Sequence, residues 1–131
     1  MPALVTAGVL PDDPFTTLDG DGVGELITVA VTRARASEAA TWPHDAGVPA
    51  PRLEIGLCGE HGGEERSVAW LVRHAAPAGL DYVSVSPFRV PVAILAAAQT
   101  ALAMRSEAEA CGGGGGTGAA RAAALPADRT A

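Results

Sequence analysis

The chain runs to 131 residues, about one modest domain, with a net charge of -6 and a pI near 4.9. Its nine basic residues are all arginine and lie scattered, so the basic stripe of a nucleic-acid surface is missing. Hydrophobic residues form 48% of the chain but aromatics only 4%, and much of the apolar share is alanine, which leaves little apolar area for an isolated core.

The N-terminal Met1-Pro2-Ala3-Leu4-Val5-Thr6-Ala7-Gly8 has no basic region ahead of a long apolar stretch. No uninterrupted apolar run approaches the roughly 18 residues of a spanning helix, so a soluble, unsecreted protein without membrane contact is expected. Pro2, Pro11 and Pro14, with Asp12, Asp13 and Asp19, make residues 1–20 extended or turned. Asp19 then reads as a helix N-cap. From Gly22 to about Ala36, apolar Val23, Leu26, Ile27, Ala30 and Ala34 recur at helical spacing, with Arg33 and Arg35 near the C-terminal end, where cations suit the dipole.

Residues 37–52 hold Pro43, Pro49, Pro51 and Gly47 and read as a loop. The apolar run at 53–58, bounded by Pro51 and Gly59, fits a buried strand of a parallel sheet. Ser67 is the expected N-cap of the next helix, whose packing face is Val68, Leu71, Val72 and Ala75 and which Pro77 and Gly79 end. Residues 81–86 alternate as a second strand, stopped by Pro87. Pro91 suits a first helical turn, and Val92 to Met104 is alanine-rich.

From Arg105 onward, with Gly112 to Gly116 and few large apolar residues, order is expected to fade. The division is therefore an ordered unit at 1–104 and a disordered Gly/Ala-rich tail at 105–131. Helix, strand, helix, strand, helix implies an α/β fold with parallel pairing, the unit of a barrel or a doubly wound sheet.

Cys58 stands where the first strand gives way to Cys58-Gly59-Glu60-His61-Gly62-Gly63, a good place for chemistry. From position alone, a buried structural cysteine competes with that reading. With His61 it would be half of a zinc site whose second pair is missing. Gly59, Gly62 and Gly63 are more simply turn residues than a phosphate cradle. Glu60 and His61 either orient the loop or are surface residues. Arg89 either meets an anion or forms a salt bridge, while His44, His74 and Cys111 read as ordinary surface residues. Two cysteines in unlike settings scarcely define a disulfide framework, which favours a reducing, cytoplasmic compartment, with a eukaryotic organelle as the alternative.

Three blocks carry a resemblance: Asp13-Pro14-Phe15 with Leu18-Asp19 and Gly22-Val23-Gly24; Ile55-Gly56-Leu57-Cys58-Gly59-Glu60-His61-Gly62-Gly63; and Gly79-Leu80-Asp81-Tyr82-Val83-Ser84-Val85-Ser86-Pro87-Phe88-Arg89-Val90-Pro91. In order and approximate spacing they resemble the C-terminal, phosphoenolpyruvate-binding part of the pyruvate phosphate dikinases, over residues 8 to about 103. The resemblance implies a fragment of a (β/α)8 TIM barrel, its last two β/α units, with 53–58 as the seventh strand and 81–86 as the eighth. It gives Cys58 the role of proton donor to the pyruvate enolate, and pyruvate and phosphoenolpyruvate as substrates of the complete enzyme. An ordinary cysteine, with a pKa of about 8.5, is mostly protonated near neutrality and suits an acid.

The same resemblance implies an ATP-dependent phosphotransferase that works through a phosphohistidine and Mg2+. The metal's carboxylates, the substrate-holding arginines and the phosphohistidine belong to family segments outside this sequence, so no metal ligand and no substrate-binding residue is assigned here. The chain alone is then expected to be inactive, and to meet the remaining dikinase domains or a second copy of itself. A non-catalytic interaction or dimerisation module, or a truncated gene remnant, is the alternative.

Overall fold

A computed structural model describes residues 1–41 and 52–111. Helix α1 spans Pro2–Thr6. A single π-type turn, Gly20–Gly24, leads directly into α2, Glu25–Thr41. Strand β1 is Gly56–Cys58, followed by a 3-10 turn at Glu60–Gly63. Helix α3, Glu65–Trp70, continues through a π-type turn at Leu71–Ala75 into α4, Ala76–Ala78. Strand β2 is Tyr82–Ser84; a 3-10 turn at Pro87–Arg89 then opens α5, Val90–Cys111.

The two strands pair in parallel, with Gly56 opposite Tyr82, Leu57 opposite Val83 and Cys58 opposite Ser84. The helical run between them is the crossover that a parallel pair requires. Gly79 ends that run with a left-handed φ of 114°, a conformation that glycine adopts without the penalty of a side chain.

The core lies between α3 and α5, where Val68, Ala93 and Ala96 are buried and Val72, Val85 and Ala97 pack around them. Leu71 and Ala75 are buried as well, so the packing face expected from Val68, Leu71, Val72 and Ala75 is present. On the other flank the Trp70 indole lies against Gly20 and Gly24. A Cβ on Gly24 would stand 2.5 Å from the ring, which explains the glycine at that position.

Several expectations need correction. Residues 2–6 are helical, because Pro2 occupies the start of the helix, where its missing N–H is harmless. Asp19 does cap the turn at Gly22 (3.1 Å). The helix it begins, however, reaches Thr41, which removes 37–41 from the expected loop and leaves Arg35 inside the helix; 42–51 lie outside the described residues. Its buried apolar contact is Val31, whereas Val23, Leu26 and Ala30 are exposed. With apolar residues on several sides, spacing alone could not select the packed face.

Glu64, not Ser67, caps α3. Ser67 is buried and serves as a link between segments. The strands are only half-buried, each with an exposed, intermediate, exposed pattern. Parallel strands read as apolar because complete sheets cover both faces, and among the described residues only one two-stranded sheet is present. Finally, α5 runs past Arg105 to Cys111, supported by the Arg73–Glu107 and Arg105–Glu109 ion pairs; residues 112–131 lie outside the described ones.

The segment Pro87–Cys111 is long and apolar enough to cross a membrane by length and composition, with a mean hydropathy of 1.3 and 17% of that window buried. Alanine carries this value through Gln99 and Thr100, so a count of uninterrupted apolar residues misses it.

Candidate functional site

β1 carries Cys58 to its C-terminal end, beside Ser84 at the C-terminal end of β2. The chain then turns through Gly59, at φ 135° and ψ 179°, a backbone region nearly confined to glycine. Cys58 is exposed and free. It lines a shallow hollow of about 140 Å³ with Gly59, Glu60, Gly63, Ser84, Val85, Ser86 and Arg89.

The turn after Cys58 is anchored on three sides. His61 Nε2 meets the Pro14 carbonyl at 2.8 Å, which ties the turn to the Asp13-Pro14-Phe15 segment. Gly62 and Gly63 pack so closely that an added Cβ would stand 2.9 Å from Val85 Cγ1 and 2.8 Å from Arg89 Cβ, respectively. Glu64 closes the turn by accepting from the N–H groups of Arg66 (3.0 Å) and Ser67 (2.7 Å) and from the Ser67 hydroxyl (2.5 Å). Burial opposes ionisation of Glu64, but those donors outweigh it and hold the carboxyl below its ordinary value. The Ser67 oxygen in turn accepts the Leu18 N–H at 2.9 Å, which brings the N-terminal segment onto α3.

The opposite end of the strands is built from charge. Arg35 donates Nε and Nη2 to the Gly79 carbonyl (3.1 and 2.7 Å) and Nη1 to Leu53 O (2.6 Å) and Glu38 (2.9 Å). It also meets Asp81 in a short ion pair. Asp81 accepts the Ile55 N–H at 2.9 Å and pairs with Arg52 at 2.5 Å. The Ile55 bond, followed by Arg35, holds Asp81 below the usual carboxylate range; the Leu53 N–H, followed by Arg35, does the same for Glu38. This clamp fixes where both strands begin, and hence where Cys58 and Ser84 end.

The expected candidate, Cys58, is thus solvent-accessible at a strand end, and the two apolar runs lie side by side. His61 proves to be a tether. Arg89 has no carboxylate within salt-bridge distance among the described residues and sits in the hollow. Cys111 is exposed on the far end of α5. Sequence reading missed Ser84 and Ser86, although their alternation with Val83 and Val85 put both hydroxyls on one side of the second strand. It also missed the Arg35 clamp, for which spacing within one helix offers no signal. Among the described residues no group of three His, Cys, Asp or Glu side chains is gathered that could hold a metal ion.

The PEP-utilising enzyme, PEP-binding domain family matches residues 12–102, a span that takes in both strands, the hollow and most of α5. The chain belongs to this family. As a PEP-binding domain sequence it is 49% identical over 102 residues to pyruvate, phosphate dikinase 2 of Oryza sativa, an alignment covering 78% of this chain and 10% of that protein. It is 48% identical over 99 residues to the chloroplastic pyruvate, phosphate dikinase of Mesembryanthemum crystallinum, covering 76% and 9%. It is 46% identical over 95 residues to the dikinase of Rhizobium meliloti, covering 72% and 9%. The chain thus spans about a tenth of the length of the curated relatives it matches. The mixed helices and small parallel sheet are consistent with a fragment of the PEP-binding domain.

Proposed function

We propose that residues 1–104 are the last part of the pyruvate- and phosphoenolpyruvate-binding barrel of a pyruvate phosphate dikinase. In this reading β1 and β2 are neighbouring strands seven and eight of a (β/α)8 barrel, and Cys58 is its acid. The observation that carries the reading is the exposed thiol at the C-terminal end of a strand in a parallel pair, the end at which barrel enzymes hold their active sites.

As phosphoenolpyruvate gives up its phosphoryl group, the Cys58 S–H bond breaks and its proton joins the methylene carbon of the enolate, yielding pyruvate and a thiolate. In the other direction the thiolate takes a methyl proton from pyruvate. Gly59 releases the chain immediately after the thiol, and the His61–Pro14 contact and the Glu64 cap hold the following turn in place. The phosphohistidine and the Mg2+ of the reaction would be supplied by other parts of a complete enzyme, so this chain alone is inactive. The chloroplastic relatives favour an organellar setting beside the cytoplasmic one.

The test is complementation. A dikinase lacking this region is mixed with the chain, and phosphoenolpyruvate formation is measured. Recovery that Cys58→Ala abolishes is expected. Failure of the wild-type chain to restore activity, or equal recovery with Cys58→Ala, removes the assignment.

A second reading, an interaction module, is favoured by the apolar side chains left in solvent. Phe88 is 94% exposed, Leu26 69% and Ile94 64%. Recovery of activity independent of Cys58 would support it.

A further inference from the structure

Residues 12–18 lie between α1 and the π-type turn without helix or strand of their own. They are folded locally: Asp13 Oδ1 accepts the Phe15 N–H at 3.0 Å, and the Asp13 carbonyl accepts those of Thr16 and Thr17 at 2.9 and 3.0 Å. Three polar contacts then reach from this short segment to partners 47 to 54 positions further along the chain. Arg66 Nη1 donates to Asp12 at 2.9 Å, His61 Nε2 meets the Pro14 carbonyl at 2.8 Å, and the Leu18 N–H donates to Ser67 Oγ at 2.9 Å. All three partners fall within residues 61–67, the turn after Cys58 and the start of α3.

The three contacts are unequal. The Asp12 and Arg66 side chains are 47% and 67% exposed, so solvent screens that pair and it contributes little. Ser67 is 1% exposed, and its hydroxyl also donates to the Glu64 carboxylate that caps α3, so the Leu18 bond is shielded and joined to the cap. At His61 a carbonyl oxygen can only accept, so Nε2 carries the proton and donates. The fastenings at Pro14 and Leu18 are four residues apart on a segment that Asp13 has already folded. On the sheet side the same turn is gripped by Val85 and Arg89, against which Gly62 and Gly63 are pressed. Residues 12–18 supply the opposing side.

We propose that residues 12–18 are a strap that docks as one unit and fixes the pose of the turn after Cys58, with His61 as the positioning residue through which it acts. The positioning role deepens the reading of Cys58 as an enolate acid and rests on it; the strap itself rests on the contacts alone. Removing the His61 donor is then felt at both ends of the strap. It opens the turn that carries the thiol's exit and also the Leu18–Ser67 bond, which His61 does not touch.

Native-state hydrogen exchange on the intact chain, read by NMR, tests this without activity. Gly62, whose N–H bonds Gly59 O at 3.1 Å, reports on the turn, Leu18 on the far fastening, and Ala96 in the α3–α5 core on global opening. His61→Phe, which keeps a ring but loses the donor, should speed exchange at both Gly62 and Leu18 by about fivefold, the scale of one net hydrogen bond. Ala96 should be unchanged. His61→Ala should give the same pattern, and His61→Gln, which restores an N–H, should return both rates most of the way to wild type. Exchange that quickens at Gly62 but not at Leu18 overturns the strap, as does equal acceleration at Ala96 or a Gln variant no better than Phe. In the complementation mixture, His61→Phe should lower kcat several-fold with KM for pyruvate unchanged, and His61→Gln should restore it; an unchanged kcat removes the positioning role. Failed complementation by the wild-type chain removes the Cys58 reading and leaves the exchange result standing, whereas a failed exchange test leaves Cys58→Ala to decide the acid.

Discussion

Arg35 of α2 and Asp81, just before β2, meet in an ion pair whose outer contacts reach the Gly79 carbonyl, Leu53 O and the Ile55 N–H. One guanidinium therefore sets the starting level of both strands, while the thiol and hydroxyls of the candidate site stand at their other ends. In a barrel this end is the one associated with stability and the opposite one with chemistry. Replacing Arg35 by Met should cost about 1–3 kcal/mol in urea unfolding, because several charge-assisted bonds go and Asp81 loses its buried-side partner.

The same clamp makes stability depend on pH. Asp81 and Glu38 both have folded pKa values held below their ordinary 3.8 and 4.5. Carboxyls depressed in this way stabilise fully above their unfolded values, and that contribution is lost as pH falls through the folded ones. The unfolding midpoint should therefore be insensitive to these groups above about pH 5 and fall below about pH 4. Asp81→Asn should lower the midpoint at neutral pH and flatten the acid slope, as a urea series from pH 3 to 7 would show. An unchanged slope would contradict the clamp.

Gly59 and Gly8 offer a matched comparison of backbone strain. Neither has an atom within 4 Å of the place a Cβ would occupy, so crowding is removed from the comparison. Gly8 has φ 68°, within the left-handed region that other residues enter at modest cost, whereas Gly59 has φ 135°. Gly59→Ala should cost about 1–3 kcal/mol and Gly8→Ala clearly less, with complementation reduced only by the Gly59 change. Equal losses would mean that the turn after Cys58 is not strained.

Trp70 tests the packing of the N-terminal segment. Its indole fills the space over Gly20 and Gly24, so Gly24→Ala must push the ring or the π-type turn outward. Overpacking of this kind costs roughly 1–3 kcal/mol. In a chain carrying Trp42→Phe, so that Trp70 is the one tryptophan emitter, the emission maximum should shift to the red with Gly24→Ala, and in urea unfolding the cost of Gly24→Ala should shrink when Trp70 is trimmed to Phe.

The legible parts of the fold were those in which a local signal had one interpretation. Val68, Leu71, Val72 and Ala75 recur on a helix whose other positions, Trp70 apart, are polar or small, and their packing face is as expected. The strand at Cys58 was marked by its flanking Pro51 and Gly59, and the thiol's place at its end followed. On α2, apolar residues on several sides left the packed face to tertiary contact, which chose Val31. The extent of β1 and β2, three residues each, depends on sheet neighbours that no residue in the run specifies. Ser67 illustrates the remaining gap: its type suits a cap, but Glu64 reaches the same N–H groups with a charge and Ser67 is drawn inward to Leu18.

The apolar surface predicts association. Phe88, Leu26, Ile94, Leu95 and Leu102 are each more than half exposed, and they stand on α2, the 3-10 turn before α5, and α5 itself. Among the described residues the sheet adds open edges, since its two parallel strands each have one side without a strand partner. Burying such side chains is worth about 1.5–3 kcal/mol apiece when complete, so a monomer that keeps them in water forgoes an amount comparable with the usual net stability margin of a small domain. Size-exclusion with light scattering should therefore give a mass above the 13.1 kDa of one chain, falling on dilution. Ile94→Glu with Leu95→Lys should shift the population toward the monomer and lower its unfolding midpoint only slightly, because neither side chain packs in the α3–α5 core. A cooperative, concentration-independent melt of a wild-type monomer would show instead that the described contacts suffice, and that the exposed face needs no partner to be stable.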